Sequence, residues 1–352
     1  MNNVIFEKAY YDRLIKEFGY NPIGFEQISF SLGDLTASDL QKFWLCHMNG
    51  NIFSEAKKCG ENIIATTGFG MSGVPHIGTL GQILRMIRLQ KNGIPVQIVL
   101  GDLDAYNGKN MELQYVQTLS SSYKKFIIDL GFNVDHPNIL RSQDCSLSTL
   151  RLAYLLGRYM DDQMFVDAEE DLHNIYAKNG KVDDLMSYRR KLSLNLMTAD
   201  FLELLCHNNY NNVLVVLGID EHKYVNFAKK VIEKASREHA DWFMNKHYSA
   251  MYSGMLKGLY GFPKMSKSFP DSGIRVDMSA ETIREKITNG ETVTSFPETN
   301  VIYQMIAWAS LYDKEQIEEA YIECKKQSSL WKKIKNEYII HLSGLCKRWC
   351  EI

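Results

Sequence analysis

The chain has 352 residues, 45% of them hydrophobic, and a formal net charge of −2. A chain of this size can bury a large core, and we expect one catalytic unit with a smaller attached unit. The near-neutral charge excludes the overall basic field of a protein that coats nucleic acid, so any RNA contact requires a local basic patch.

Cysteine usage and the N-terminal sequence predict a cytoplasmic protein. The seven cysteines are odd in number and never form C-x-x-C, which favours reduced thiols. Cys346 and Cys350 share a helix face without a histidine or aspartate to complete a metal site, so we expect no metal there. The N-terminus is charged from Glu7 onward, and no run approaches 18 apolar residues. We therefore expect neither a signal peptide nor a membrane span.

The first elements in chain order are helical and then change to a strand–helix–strand unit. Residues 1–60 mix charged residues with helical spacing and predict an N-terminal helical segment. From residue 61 the sequence predicts a strand at 63–67, a glycine-rich turn, a helix at 78–91 and a strand at 96–100. This order is typical of a βαβ unit in a parallel sheet.

The rest of the chain predicts a second strand–helix unit surrounded by helices. The hydrophobic run NNVLVVLGID at 211–220 predicts a strand, and the helix EHKYVNFAKKVIEKA follows it. We therefore predict an α/β protein with a doubly wound parallel, Rossmann-like sheet, a helical insertion and a C-terminal helical domain. The expected divisions are a helical segment at 1–60, a catalytic domain at 61–275 with its insertion at about 105–195, and a helical domain at 276–352.

Polar stretches follow three of the predicted strands, where open parallel sheets bind ligands. They are GFGMSGVPHIG at 68–78, GDLDAY at 101–106 and GIDEH at 218–222. The glycines of the first stretch allow close backbone approach, and the following helix offers N–H groups to phosphate. The stretch YGFPKMSKSFPDSG cannot be a regular helix or strand, and it places Lys264 and Lys267 on a loop that could hold an anion.

Two of these stretches together resemble the signatures of class I aminoacyl-tRNA synthetases. They are PHIGT and KMSKS, and Lys264 follows His76 by 188 residues. The segments VLGIDEHKYVNFAKK and NLMTADFLELL are similar to the tryptophanyl and tyrosyl subgroup, most of all to its tryptophanyl members. The resemblance extends from about residue 60 to about residue 335.

The resemblance implies a nucleotide site and a mobile catalytic loop. His76 would contact the phosphates of ATP, and Lys264, Ser266 and Lys267 would reach the phosphates during reaction. Thr79 stands where the family has a second histidine or asparagine. The implied ATP-binding residues are Gly70, His76, Gly78, Thr79, Gly218, Asp220 and Met265.

The resemblance also implies an amino-acid site in which several residues depart from the subgroup. Thr66 stands where an aromatic residue is common, Ser193 where many tryptophan enzymes have tyrosine, and Glu221 where glutamine is usual. Asp200 matches the residue that binds the polar atom of the substrate ring. The implied amino-acid-binding residues are Thr66, Gly68, Ser193, Met197, Asp200 and Glu221.

The implied activity is ATP- and Mg²⁺-dependent formation of an aminoacyl-adenylate, with tryptophan as the first expectation, and transfer to tRNA by a homodimer. A paralog that delivers the acyl group to a carrier protein or small amine is an alternative, because only 84 residues follow Ser268. A non-catalytic nucleotide-binding homologue is a third, disfavoured by the intact lysine loop. A lysyl enzyme is a weaker resemblance. The basic residues that could form a tRNA patch are Lys325, Lys326, Lys332, Lys333, Lys335, Lys347 and Arg348.

Overall fold

The computed structural model describes residues 7–22, 30–169, 171, 186–207, 210–266, 269–291, 294 and 296–352. Its centre is a seven-stranded sheet in the order β1-β2-β7-β6-β3-β4-β5. The strands are β1 (Asn21–Pro22), β2 (Cys46–Met48), β3 (Ile63–Gly70), β4 (Val96–Gly101), β5 (Ile139–Ser142), β6 (Asn212–Gly218) and β7 (His247–Ser253).

The five strands from β5 to β7 are parallel, and the winding direction changes between β3 and β6. The chain runs from β3 outward to β4 and β5, and then returns to place β6 on the other side of β3, followed by β7. Strands β1 and β2 extend the sheet antiparallel beyond β7. The predicted doubly wound α/β fold is confirmed, and its switch point lies between β3 and β6.

Fifteen α-helices are described in these residue ranges, and five 3₁₀ turns accompany them. The helices before β6 are α1 (Lys8–Phe18), α2 (Ala37–Phe43), α3 (Gly50–Lys58), α4 (Ile77–Lys91), α5 (Asp102–Gly108), α6 (Leu113–Asp129), α7 (Leu147–Leu156), α8 (Asp162–Asp167) and α9 (Tyr188–Cys206). The later ones are α10 (His222–Ala235), α11 (Ala240–Phe243), α12 (Ala280–Asn289), α13 (Val301–Trp308), α14 (Lys314–Lys326) and α15 (Ser329–Cys350).

Two hydrophobic cores cover the two faces of the sheet. One joins α4 and α6 to the C-terminal helices through residues such as Ile83, Phe126 and Tyr338, all fully buried. The other joins α7, α9 and α10 to the opposite face and includes Tyr10 and Leu14 of α1. Burial on both faces explains why β3, β4 and β6 are near-continuous hydrophobic runs rather than alternating ones.

Four strands, β1, β2, β5 and β7, lie where the sequence analysis predicts no strand. Strand β5 falls inside the predicted helical insertion, and the predicted N-terminal helical segment supplies β1 and β2. β5 has only four residues, ILRS, of which one is buried, so no strand period could be read from it. β7, HYSAMYS, lies between two strands and is almost wholly buried despite its serines. These segments become strands because they form backbone hydrogen bonds with neighbouring strands, and their own side-chain pattern does not indicate it.

The predicted basic face is largely neutralised by nearby carboxylates. α14 and α15 carry its residues, and five of the seven are in ion pairs. The pairs are Lys326 with Glu323, Lys333 with Glu337, Lys335 with Glu291, Lys347 with Glu351 and Arg348 with Asp129.

All seven cysteines are free thiols. Across the described ranges, none of the helices has the length and apolar character that crossing a bilayer requires.

Candidate active site

Two adjoining cavities open where β3 and β6 end. The loop cavity, about 240 Å³, is bounded by the start of α4, the end of β6 and residues 264–266. The insertion cavity, about 280 Å³, is bounded by α5, α9 and the tip of β3. Residues 67–70, Leu217 and Glu221 line both, so one ligand could extend from one cavity into the other. This is the position that a doubly wound sheet favours for ligands.

The start of α4 forms one wall of the loop cavity and leaves no room for larger residues. His76 is the N-cap of α4, and its Nδ1 accepts a hydrogen bond from the Thr79 amide at 3.3 Å. In the neutral ring Nε2 then carries the proton and can donate. A Cβ at Gly78 would lie 2.7 Å from the His76 ring, so a larger residue there would displace the imidazole from this position. The N-terminus of a 15-residue helix faces the cavity and favours an anion.

The lysine loop is held against the opposite wall. Lys264 Nζ lies 2.5 Å from Asp220 Oδ2, and their side chains are only 11% and 13% exposed. The Met265 amide donates a hydrogen bond to the Leu256 carbonyl at 3.1 Å. This amide is therefore already engaged and is not available to hydrogen-bond to the adenine ring of a nucleotide. The Ser266 amide donates to Ser272 Oγ at 3.0 Å. Lys267, the fourth predicted catalytic residue, lies outside the described residues.

Asp220 is placed beside Gly218 at the end of β6. A Cβ at Gly218 would lie 2.5 Å from Asp220 Oδ1, so the glycine makes room for this carboxylate. In this arrangement Lys264 is bound to the carboxylate of Asp220, one of the residues that the family resemblance implies for ATP binding.

A buried charged cluster forms the far end of the insertion cavity. Asp200 is 3% exposed and accepts hydrogen bonds from Arg141 Nη2 at 2.9 Å and from Gln143 Nε2 at 2.7 Å. The same guanidinium nitrogen reaches Glu203 at 3.3 Å, and the Ser148 and Thr149 hydroxyls donate to Glu203. Burial raises the pKa of Asp200 to about 6, although the Arg141 charge opposes the shift. One arginine thus serves two buried carboxylates.

Asp104 is a cavity residue that the sequence analysis did not single out. Its carboxylate lies close to two glycines that line the cavity. A Cβ added at Gly70 would lie 3.3 Å from Asp104 Oδ2, and a Cβ added at Gly108 would lie 3.6 Å from Asp104 Oδ1. The nearby Asp102 is instead fully buried and accepts the amides of Leu103 and Gln143. The polar stretch GDLDAY at the end of a predicted strand indicates that one of its aspartates faces the site. The helical geometry of α5 decides which one, because it buries Asp102 and places Asp104 at the cavity.

Other cavity residues were also missed because they come from distant parts of the chain. Gln143 lines the insertion cavity and directly follows β5, a strand that was not predicted. Arg141, in β5 itself, does not line the cavity but binds Asp200. Glu169 and Arg190 line the insertion cavity as an ion pair. No short motif connects residues that lie so far apart in sequence.

Most predicted site residues meet at the two cavities. Those in the loop cavity are Gly68, Gly70, His76, Gly78, Thr79, Gly218, Asp220, Glu221, Lys264, Met265 and Ser266. Those in the insertion cavity are Gly68, Gly70, Ser193, Met197, Asp200 and Glu221.

Among the described residues predicted for the site, Thr66 is the one that lines neither cavity. It is fully buried. Its hydroxyl accepts a hydrogen bond from Gln97, whose amide also reaches the Asp200 carbonyl. Thr66 lies two residues below Gly68 on β3, about 7 Å deeper in the sheet, so it supports the cavity floor from beneath.

Known proteins with the same features were found by comparison of sequence and of structure. The family model for class I tRNA synthetases (W and Y) matches residues 57–344. The tryptophan–tRNA ligase of Aeropyrum pernix is 23% identical over 96% of this chain and 92% of its own length. The tyrosine–tRNA ligase of Methanococcus maripaludis is 29% identical over 65% of each chain. The crystal structure of the A. pernix tryptophanyl-tRNA synthetase superposes with a TM-score of 0.75 at 20% identity, covering 97% of this chain and 94% of that one.

Proposed function

Because the chain belongs to the class I tRNA synthetases of the W and Y type, we propose that it activates tryptophan with ATP and transfers it to tRNA. The observation that carries this proposal is the pair of adjoining cavities. One joins a helix N-terminus, His76 and Lys264, and the other ends in a buried carboxylate. An anion and an amino acid can therefore meet at the shared wall formed by residues 67–70.

In the proposed reaction the tryptophan carboxylate attacks the α-phosphorus of ATP. A carboxylate–phosphorus bond forms, the bond from that phosphorus to its bridging oxygen breaks, and the electron pair leaves with pyrophosphate. The carboxylate is already ionised, so no general base is required. Negative charge increases on the phosphoryl oxygens, and fixed cations and N–H donors stabilise it. Lys264 and His76, together with the amides at the start of α4, are the groups that act on it.

ATP binding in this scheme begins with an exchange of partners at Asp220. Ribose hydroxyls donate to the Asp220 carboxylate in place of Lys264, and the ammonium group of Lys264 moves with the phosphates. Both side chains are at least 87% buried, so their charges act with little solvent screening. The ammonium is thus delivered to the phosphates by the same event that brings the nucleotide.

Magnesium is proposed to enter with the nucleotide. Among the residues that the structure describes there is no group of three or more histidine, cysteine, aspartate or glutamate side chains able to hold a metal. Phosphate oxygens are suitable ligands for Mg²⁺, which usually binds through substrate phosphates and few carboxylates. The ion supplies additional charge stabilisation at the phosphoryl group.

Tryptophan is favoured by the relatives and is compatible with the insertion cavity. The A. pernix relative is named for tryptophan and spans most of both chains. Asp200 can accept the indole N–H through a lone pair that Arg141 and Gln143 leave open. Asp104 and Glu221, nearer the shared wall, are the carboxylates proposed to receive the substrate ammonium. Tyrosine is the second candidate, because its hydroxyl could donate to the same carboxylate.

Exchange of pyrophosphate into ATP, measured with each of the twenty amino acids, tests this function. We expect exchange with tryptophan to exceed exchange with every other amino acid. Exchange that peaks with tyrosine would change the substrate but retain the reaction. Absence of exchange with all twenty would reject the proposed activation.

The acceptor is proposed to be tRNA rather than a carrier protein or small amine. The relatives support this choice, since the A. pernix tryptophan–tRNA ligase aligns over 96% of this chain and 92% of its own length. The ion pairs on α14 and α15 leave a mixed-charge surface there. A mobility shift with total tRNA and its salt dependence tests this assignment, since each phosphate contact contributes to the slope.

A homodimer through the insertion is proposed from an exposed apolar surface. The insertion surface consists of Leu147, Tyr154 and Leu155 on α7 with Tyr188 and Leu192 on α9, all exposed hydrophobic residues. The two helices pack side by side, so these residues share one region. Apolar surfaces of this kind mark interaction sites, and the family resemblance indicates a second copy of the chain as the partner.

Tyr154→Lys is expected to convert this dimer into a monomer. Tyr154 is 88% exposed, so the substitution does not disturb the core of one subunit. In a dimer it would place two charges in an apolar contact. Light scattering after gel filtration measures the mass, and Tyr260→Lys, at a half-exposed tyrosine outside this surface, is the control. A variant that keeps the wild-type mass contradicts the assignment.

A further inference from the structure

Two adjacent tyrosines of the N-terminal helix α1 are connected, through hydrogen bonds and ion pairs, to residues that line the two cavities. Tyr10 and Tyr11 are consecutive, so their side chains diverge by about 100° around the helix. Tyr10 is 6% exposed and packs in the core beneath α1 together with Leu14. Residues 1–60 therefore do more than precede the catalytic domain.

Tyr11 reaches the wall of the loop cavity. Its hydroxyl oxygen accepts the Met255 amide at 3.0 Å, and Met255 lines that cavity next to Gly218. An ion pair from Glu7 to Lys257 at 2.9 Å holds the same stretch of chain two residues further on. The segment after β7 is thus fastened to α1 where it borders the loop cavity.

Tyr10 reaches the other cavity through a chain of polar contacts. Its hydroxyl donates to Asp171 Oδ2 at 2.5 Å, and Lys223 lies 2.6 Å from Asp171 Oδ1. Lys223 also donates to the Glu169 carbonyl at 2.9 Å. Glu169 in turn pairs with Arg190, and both line the insertion cavity.

Resting on the proposed function, we infer that Tyr10 and Tyr11 are positioning residues, each for one substrate: Tyr11 for ATP through Met255, and Tyr10 for the amino acid through Asp171, Lys223 and Glu169. Neither touches the substrates directly. The hydrogen bonds and ion pairs of the two paths share no residue, which makes the inference specific, although the rings of Tyr10 and Tyr11 are in edge-to-face contact at 5.9 Å. Burial raises the pKa of both phenols, so both act as neutral hydrogen-bonding groups throughout the working pH range.

Removing one hydroxyl at a time should therefore separate the two Michaelis constants. We expect Tyr11→Phe to raise KM for ATP about three- to tenfold and to leave KM for tryptophan unchanged, because one modest hydrogen bond is lost. We expect Tyr10→Phe to raise KM for tryptophan by the same factor and to leave KM for ATP unchanged. Both constants are obtained from pyrophosphate exchange, and Tyr115→Phe, on the exposed face of α6, is the matched control that changes neither.

A purely structural role for α1 predicts a different result. Both variants would then lower the melting temperature without a KM change, or would raise both constants together, and either outcome overturns the inference. Phenylalanine retains the aromatic packing, so these variants test the hydroxyls without removing the helix. Crossed changes in the two Michaelis constants are the expected result, and a modest fall in melting temperature, from the lost hydrogen bond, does not affect that reading.

Calorimetric titration with MgATP alone separates this inference from the activity itself. Tyr11→Phe should weaken MgATP binding three- to tenfold, and Tyr10→Phe should not, whether or not any amino acid supports exchange. Wild-type exchange that fails while this difference appears would reject the proposed function and retain the role of Tyr11. A wild-type chain that binds no MgATP would overturn both.

Discussion

Replacing Lys264 by methionine is expected to slow pyrophosphate exchange by about 10²- to 10³-fold, which corresponds to about 2.7–4 kcal/mol of lost transition-state stabilisation. The lysine is the cation that the described part of the loop brings to the cavity, where it is 11% exposed and paired with Asp220. Methionine keeps the length of the side chain and removes its charge. It also leaves the Asp220 carboxylate unpaired beside an incoming triphosphate, which adds repulsion.

Lys333→Met is the matched control, because Lys333 is 71% exposed and pairs only with Glu337 on the same helix. Surface pairs of this type contribute little, so we expect exchange within twofold of wild type. A Lys264→Met rate within twofold of wild type would contradict the catalytic role. The KM for tryptophan should change less than the turnover number, because Lys264 lies outside the insertion cavity.

The central part of the fold could be predicted because β3, α4, β4 and β6 carry strong local signals. Predicted strand 96–100 and helix 78–91 differ from Val96–Gly101 and Ile77–Lys91 by one residue at one end. The hydrophobic runs reflect burial on both faces of a parallel sheet. The strands at or next to the two edges of the sheet carry no such signal. β5 and β2 are short, and β1 has two residues whose only support is pairing with β2.

The nucleotide side of the site could be predicted better than the amino-acid side. His76, Gly78 and Thr79 form one continuous turn, and Lys264 to Ser266 another, so the chain order itself places them. The insertion cavity is instead assembled from α5, β5, α9 and the segment near Glu169. Its pairings, such as Arg141 with Asp200 across 59 residues, follow from tertiary packing that no local pattern encodes.

Thr66 illustrates the limit of assigning a site residue by position in a motif. Its register on β3 is as expected, but the sheet buries it beneath Gln97 and the backbone of α9. The same fold brings Gln143 into the cavity and holds both ends of its amide, which donates to Asp200 and accepts the Asp104 amide at 2.8 Å. Gln143 therefore has a fixed orientation, and that orientation decides which lone pairs of Asp200 remain open.

Acidification should weaken tryptophan activation because the buried acceptor becomes protonated. The pKa of Asp200 is raised to about 6, with Arg141, Gln143 and Glu203 as its neighbours. We expect kcat/KM for tryptophan to rise with pH through about 6 and then to become constant.

The same titration of Asp200 changes the free energy of unfolding in the opposite direction. The folded state binds this proton more tightly than the unfolded chain does, so the Asp200 contribution to folding free energy becomes less favourable as pH rises from about 4 to about 6.

Asp200→Asn is expected to lower kcat/KM for tryptophan by about 10- to 150-fold, the range for a lost hydrogen bond to a charged group. The amide oxygen can face Arg141 or the indole, and in either orientation its NH₂ group opposes another donor. The step near pH 6 should disappear, because asparagine does not titrate.

Asp162→Asn is the control, since the Asp162 side chain is 89% exposed and pairs at the surface with Lys191. It should retain both the wild-type rate and the wild-type pH profile. If Asp200→Asn retains the change in kcat/KM near pH 6, another group is responsible for that titration. If it retains the wild-type kcat/KM, the indole N–H is bound by a different residue. Either result would remove Asp200 from substrate recognition, while loss of the rate and the step together would identify this single carboxylate as both the acceptor and the source of the pH dependence.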